Sequence, residues 1–101
     1  MAYQIIWSGS AVERIAEILD FIAEENPVAA RRVVQDLLDR IEALTDFPRL
    51  GRPLLDEVET DLRRLVVGDY VVIYRIDEVR QAITVSGGRH SRQRSLRGEE
   101  V

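Results

Sequence analysis

The hydrophobic period of this chain changes between residues 44 and 62, and that change constrains the fold more than any other feature. Over residues 10–44, apolar side chains recur every three or four positions, which is typical of amphipathic helices. Over residues 62–86, the period changes to two and the chain is rich in Val, Ile, Tyr and Thr, which is typical of strands. The sequence therefore predicts a helical half followed by a β half.

Two helices joined by a tight link are predicted for the helical half. Ser10-Ala11-Val12-Glu13 fits a capping box, so the first helix should begin at Ser10 and stop near Glu25-Asn26-Pro27. Asn26 is a good N-cap and Pro27 suits a first turn, so a second, antiparallel helix should start at once. The apolar stripes are Ala11, Ile15, Ile18, Leu19 and Ile22 on the first helix and Ala30, Val33, Val34, Leu37, Leu38, Ile41 and Leu44 on the second.

Four strands are predicted outside the helices. Tyr3, Ile5 and Trp7 alternate with Gln4 and indicate a short strand that ends at Ser8-Gly9. Turn residues at Gly68-Asp69 and Asp77-Glu78 separate three further strands, which form an antiparallel meander. Their predicted ranges are Leu62 to Val67, Tyr70 to Ile76 and Gln81 to Ser86. Residues 47–60 lose the periodicity and are predicted as a loop, and the tail should be frayed from about residue 93.

These elements predict one α+β domain over residues 1–101, because a chain of 101 residues has no room for a second ordinary core. An N-terminal strand, an antiparallel helical hairpin and a three-stranded meander would form it, with the hairpin on one sheet face. The other face can then stay wet and bind a partner. The position of the first strand in the sheet is left open.

Charge and composition exclude several classes of function. All 14 basic residues are arginine, and 18 acids give a net charge of −4 and a pI near 5.0, which argues against nonspecific coating of nucleic acid. Residues 61–101 nevertheless carry eight arginines against six acids. Without cysteine there is no disulfide framework or thiolate site. The N-terminus has no signal peptide or membrane span, so we expect a cytoplasmic protein without a membrane partner.

No cofactor or metal site is expected. His90 is the only histidine and cannot build a zinc site alone. The acidic group lacks the ligand spacing of a calcium loop and is interpreted as a solvated loop; its members are Asp56, Glu57, Glu59 and Asp61. A serine hydrolase is excluded because neither Ser86 nor Ser91 lies in a nucleophile elbow.

Several short motifs follow one another along nearly the whole chain. They are Trp7-Ser8 with Ala11, Pro27 with Ala30, the segment Phe47-Pro48-Arg49-Leu50-Gly51-Arg52, the segment LRRLVVGDYVVIYR at 62–75, and Ile83, Val85 and Gly88-Arg89-His90. Each is a weak signal alone, but together their order and spacing resemble the RelE/ParE superfamily of toxins from type II toxin–antitoxin modules. The resemblance implies a cognate ParD-like antitoxin as partner.

The resemblance implies one of two activities. One branch cleaves mRNA on the ribosome, and the ParE branch poisons DNA gyrase without a known catalytic site of its own. Nuclease members of the superfamily resemble one another at two positions. They have an arginine after the first tyrosine of the middle strand, and often an aromatic hydroxyl past the terminal basic motif. Here Val71 and Ser95 stand at those places, and no tyrosine follows Tyr74. Loss of one such group typically lowers the rate of catalysis about 100- to 1000-fold, so a chain that lacks both should have little nuclease activity. Gyrase inhibition, with no catalytic residues, is therefore the preferred interpretation.

The site residues expected from the resemblance are mostly arginines. We expect no sequence-specific DNA binding by this chain alone. The residues expected to bind the target or the antitoxin are Arg63, Arg75, Arg89, His90, Arg92 and Arg94. For the alternative, a ribosome-dependent endonuclease, the set is Arg64, Arg75, Arg89, His90 and Arg92. A decayed, non-toxic module that still binds an antitoxin is a third interpretation.

Structural roles are open for several of these side chains. Arg63 and Arg75 could instead pair with acids such as Asp61 or Asp77 at the rim of the sheet. The cluster from Arg89 to Arg97 could be a solvated tail. Core packing is the preferred interpretation for three aromatic residues, and for the two tyrosines it is expected to leave the hydroxyls at the rim; the three are Trp7, Tyr70 and Tyr74.

Overall fold

The computed structural model describes residues 2–54 and 61–90, the last of these by its backbone only. Two helices and five strands follow one another along these described ranges. In order they are β1 (Gln4–Trp7), α1 (Gly9–Glu25), α2 (Pro27–Glu42) with a 3-10 turn at Ala43–Thr45, β2 (Arg52–Pro53), β3 (Leu62–Val67), β4 (Tyr70–Asp77) and β5 (Ala82–His90). The predicted α+β class is confirmed.

The five strands form one mixed sheet in the order β1-β5-β4-β3-β2. The predicted meander is present as β3, β4 and β5, which pair antiparallel. The N-terminal strand β1 lies beside β5 and runs parallel to it, with Ile5 opposite Ile83. The helical connection between β1 and the meander makes this parallel pairing feasible, because parallel neighbours need a long crossover.

The last strand is longer than predicted. The prediction ended it at Ser86, before two glycines, but β5 continues through Gly87 and Gly88 to His90. The register shifts at this point, since Tyr74 pairs with Val85 while Ile73 pairs with Gly87. Ser86 is therefore the extra residue of a bulge, and the glycines continue the ladder instead of ending it.

A short strand lies within the predicted loop. Arg52–Pro53 pair with β3, with Arg52 opposite Arg64 and Pro53 opposite Arg63. Because β2 is an edge strand, its proline does not interrupt a central ladder. The prediction of an unbroken loop over residues 47–60 is therefore wrong at these two residues. Residues 55–60, with Asp56, Glu57 and Glu59, and the frayed tail expected from about residue 93 lie outside the described residues.

The N-cap of α1 is Ser8, so the predicted start at Ser10 is wrong. Ser8 Oγ accepts a hydrogen bond of 3.1 Å from the amide of Ala11, and the Ser8 amide donates to Val85 O at 3.0 Å. Pairing with β5 therefore holds the chain at Ser8, and the helix begins at the next residue. The second start is as predicted, because Asn26 Oδ1 accepts from the Ala29 amide at 3.0 Å and Pro27 is the first helical residue.

The helical hairpin covers one face of the sheet and closes the core there. The interior contains side chains from both helices and all three meander strands, and Trp7 packs against it as predicted. No helix of the described residues combines the length and the apolar composition needed to cross a bilayer. The core residues are Ala11, Leu37, Ile41, Leu44, Leu65, Val67, Val72, Tyr74, Ile76, Ile83 and Val85.

Candidate functional site

The sheet face opposite the helices carries arginine. Directly opposed residues of an antiparallel ladder share a face, and successive residues of a strand alternate between faces. Because Val72, Tyr74 and Ile76 face the helices, their neighbours Ile73 and Arg75 point to the other side. We call that side the arginine face; its arginines are Arg52, Arg64, Arg75 and Arg89.

The register places these arginines in adjacent rows. Arg52 is opposite Arg64, which is in turn opposite Ile73. Arg75 lies in the next row, between Leu62 and Thr84. Arg89 is opposite Val71 in the row on the other side. Three residues predicted from separate strands, Arg64, Arg75 and Arg89, thus share one surface.

Three other predicted site residues have no described side chain; they are His90, Arg92 and Arg94. His90 is the last residue of β5 and pairs with Tyr70 in the ladder. Arg92 and Arg94 lie outside the described residues, as do Ser95 and Arg97. Their assignment to a partner-binding site stays a prediction.

Arg63 lies on the helix-facing side and anchors a loop. Its Nη1 donates to Gly51 O at 2.8 Å, and its Nε donates to Asp61 Oδ1 at 3.2 Å. Only 14% of the Arg63 side chain is exposed. The structural alternative, an ion pair with Asp61, is therefore present, and most of the guanidinium is committed to it and to Gly51.

Arg75 differs from Arg63. Its side chain is exposed and forms no ion pair with a described residue. Asp77, the acid considered for it, lies 3.9 Å from Arg80 instead. Arg75 therefore remains available to an anionic partner.

Tyr74 is the second anchor of the same loop. Its hydroxyl donates to Pro48 O at 2.7 Å and accepts from the Gly51 amide at 2.9 Å. Burial raises the pKa of this phenol. The core packing of Tyr74 is confirmed, but the hydroxyl is not at the rim, because the residue is fully buried and the loop closes over it.

Gly51 allows this close approach. A Cβ at Gly51 would lie 2.5 Å from Arg64 O and 2.8 Å from the Tyr74 hydroxyl. Any other residue would push the loop away from the sheet. The next residue is Arg52, so the contacts of Gly51 place Arg52 beside Arg64.

A groove of about 310 Å³ opens beside these two arginines. Arg40 from α2 also lines this groove, which lies at the β2 edge of the sheet. We call it the arginine groove; its lining residues are Arg40, Leu50, Gly51, Arg52, Arg64, Leu65 and Val66. Sequence reasoning missed Arg40 and Arg52 as site residues, although Arg52 lies in one of the quoted motifs, because no local pattern shows that α2 and β2 converge on β3.

A surface network ties three separate segments together. The Tyr3 hydroxyl donates to Glu78 Oε1 at 2.6 Å, and Arg49 Nη2 bonds to Glu78 Oε2. The hydrogen bond from Tyr3, and then Arg49, lowers the pKa of Glu78, while the same bond is the main cause that raises the pKa of Tyr3. The network joins the N-terminal segment, the loop before β2 and the β4–β5 turn.

The arginine face is suited to binding anions. Guanidinium groups form paired hydrogen bonds to carboxylate or phosphate but stay protonated at any physiological pH. None of the three tyrosines of the chain lies on this face, since Tyr70 and Tyr74 face the helices and Tyr3 packs against the core. Within residues 2–54 and 61–90, no three His, Asp or Glu side chains gather to hold a metal ion.

Comparison with known proteins places the chain among toxins. Residues 5–94 match the family model described as the ParE toxin of the type II toxin–antitoxin system parDE. The Y4kP protein of Sinorhizobium fredii, which is named as a toxin, is 34% identical over 84 residues, or 81% of this chain and 84% of that protein. Toxin RelE2 of Caulobacter vibrioides is 31% identical over 74 residues, or 72% and 80% of the two chains.

Solved structures share the fold. A chain of the chromosomal ParDE system from P. aeruginosa matches with a TM-score of 0.71 at 18% identity, covering 88% of this chain and 96% of that one. A chain of the RelBE2 toxin–antitoxin complex from Mycobacterium tuberculosis matches with a TM-score of 0.62 at 21% identity, covering 89% and 99%. The resemblance found in the sequence is confirmed.

Proposed function

Because the chain belongs to the ParE toxin family of type II toxin–antitoxin systems, we propose that it binds DNA gyrase and stabilises the cleaved-DNA complex, and that a ParD-like antitoxin neutralises it. The family makes the chain a toxin of the RelE/ParE superfamily. The choice of gyrase over the ribosome as target is the proposal.

The composition of the arginine face supports this choice. Cleavage of RNA by its own 2′-hydroxyl needs groups that accept and donate a proton, besides cations for the phosphate charge. The face supplies cations, but it has no tyrosine. At the position where nuclease members of the superfamily commonly have an arginine, this chain has a buried valine, Val71. A surface with anion ligands and without a tyrosine hydroxyl is better suited to binding than to cleavage.

Two features support an antitoxin partner. The matching solved structures include a ParDE system and a RelBE2 toxin–antitoxin complex. The arginine face offers exposed cations such as Arg75 to the carboxylates of such a partner. A segment that folds on the toxin could meet them along the sheet.

Controlled expression with two reporters tests the proposal. A DNA-damage reporter and a translation reporter are followed together in the same culture. We expect the DNA-damage response to rise first and translation to fall later. Immediate arrest of translation without DNA damage would contradict gyrase as the target.

Matched variants sharpen this experiment. Arg75→Gln and Arg89→Gln remove cations of the arginine face and should weaken the DNA-damage response. Arg32→Gln removes the same charge from the exposed surface of α2 and serves as the control. Expression without any growth inhibition would favour the decayed, non-toxic module.

One observation favours the endonuclease as the second candidate. Arg64, Arg75 and Arg89, three of the residues expected for it, share one face. Histidine is the side chain whose usual role is proton transfer near neutral pH, so His90 would then have to carry the proton. This candidate predicts that mRNA is cut on ribosomes and that His90→Ala abolishes the cut.

A further inference from the structure

We propose that the arginine groove binds an acidic segment of a partner protein, in which carboxylates alternate with apolar side chains. The occupant is a peptide, not a nucleic acid. The inference rests on the proposed function only in expecting a protein partner. It adds Arg40 and Arg52, which the sequence did not assign to any site.

Like charges lie side by side among the residues that line the groove. Arg52 and Arg64 are directly opposed in the β2–β3 ladder, where Cβ atoms are about 5 Å apart and like charges destabilise the pair. Arg40 adds a third cation from α2. None of the three forms an ion pair with a described residue. A bound anion would relieve this repulsion, so the arrangement favours an anionic ligand.

Hydrogen bonds from two residues that do not line the groove position its backbone. Arg63 and Tyr74 each form a hydrogen bond with the backbone of Gly51, which directly precedes Arg52. The backbone that carries Arg52 is therefore positioned before any ligand arrives. Preorganisation of this kind reduces the ordering cost of binding.

Apolar surface beside the cations selects the kind of anion. Leu50 is 45% exposed and Val66 is 54% exposed at the same groove. A volume of about 310 Å³ lies at the small end of ligand sites and suits a few side chains of an extended segment. Carboxylates would pair with the guanidinium forks while an apolar side chain covers Leu50 and Val66.

A nucleic acid backbone fits less well. Phosphates alone would leave the exposed Leu50 and Val66 uncovered. The net charge of −4 also opposes the approach of a long polyanion, whose affinity grows with the number of phosphates neutralised. A short acidic segment with few charges avoids most of this repulsion.

Binding of synthetic probes to the purified full-length protein tests the proposal. The first probe is a fluorescent peptide of alternating glutamate and leucine, and the second has glutamine in place of glutamate. The third is a single-stranded oligothymidylate with the same number of charges as the first. We expect the glutamate peptide to bind at least about tenfold more tightly than either of the others, by fluorescence anisotropy.

Variants of the groove locate the binding. Three variants, Arg52→Gln, Arg64→Gln and Arg40→Gln, should each lower the affinity for the glutamate peptide about tenfold, since a hydrogen bond to a charged group is worth roughly this factor. Arg32→Gln, which removes one charge elsewhere on α2, should change this affinity less than about twofold. The Nε–H signals of the three groove arginines should shift in NMR spectra as the peptide is added.

Three results would overturn the inference. They are equal weakening by Arg32→Gln and the groove variants, equal binding of the glutamine peptide, and tighter binding of the oligothymidylate. Circular dichroism and thermal unfolding identify any variant that fails to fold, and Arg40→Gln, at an exposed helix position, is the substitution least exposed to this risk. The assay contains neither gyrase nor antitoxin, so its failure would leave the proposed function untouched.

Discussion

A single buried hydroxyl positions the loop that precedes β2. Tyr74 donates to Pro48 O and accepts from the Gly51 amide, so two backbone groups of this loop find their partner inside the core. Arg63 contributes a third bond to the same loop at Gly51 O. These contacts determine where Arg52 lies, and so link the core to the arginine groove.

Tyr74→Phe should destabilise the protein by roughly 1–3 kcal/mol, because it leaves two backbone groups of the loop without their partner. The free energy of unfolding in urea measures this loss. Tyr3→Phe removes a hydrogen bond at the exposed surface and should cost clearly less. An equal loss in the two variants would contradict the anchoring role of Tyr74.

Glu78 should make stability depend on pH. The hydrogen bond from Tyr3, and then Arg49, lowers the pKa of Glu78 below its ordinary value of 4.5. Its contribution to the free energy of unfolding is therefore present above about pH 4.5 and is lost as the pH falls through the lowered pKa. We expect Glu78→Gln to melt at a lower temperature than the native protein at pH 7.

The difference between the two proteins should shrink as the solution is acidified below about pH 4.5. Glu24→Gln, at an exposed position of α1, controls for the loss of one carboxylate. A difference in melting temperature that stays constant down to acid pH would rule out this role for Glu78.

At the scale of elements, signals that lie within a few residues of each other were predictable. Asn26 and Pro27 stand side by side, and both the end of α1 and the start of α2 follow from them. The start of α1 was not predictable in this way, because Ser8 is held by Val85, far away in the chain. The extension of β5 past its glycines likewise depends on pairing with β4.

The cap of α1 provides a test at this scale. Ser8→Ala should cost about 1 kcal/mol of stability, because the Ala11 amide loses its acceptor. Ser10→Ala should change stability by less than about 0.5 kcal/mol, as for an exposed position outside the cap. Chemical denaturation of both variants measures the difference, and a larger loss at Ser10 would restore the capping box predicted from the sequence.

At the scale of the whole molecule, the two faces of the sheet have different roles. One face packs on the helical hairpin and holds the core, and the other collects arginines from four strands. The resemblance to the RelE/ParE superfamily allowed Arg64, Arg75 and Arg89 to be predicted as site residues. Arg52 and Arg40 could not be, because their place depends on the loop anchored by Tyr74 and on the packing of α2.

The function of the chain also belongs to the scale of the whole molecule. Its family makes it a toxin. The lack of a tyrosine on the arginine face supports our proposal that this toxin binds its target and does not cut RNA. The most direct measurement adds the purified protein to DNA gyrase with relaxed plasmid and, in parallel, to ribosomes translating a defined mRNA. The account predicts loss of supercoiling, accumulation of cleaved plasmid and intact mRNA; unaffected gyrase together with mRNA severed on the ribosome would contradict it.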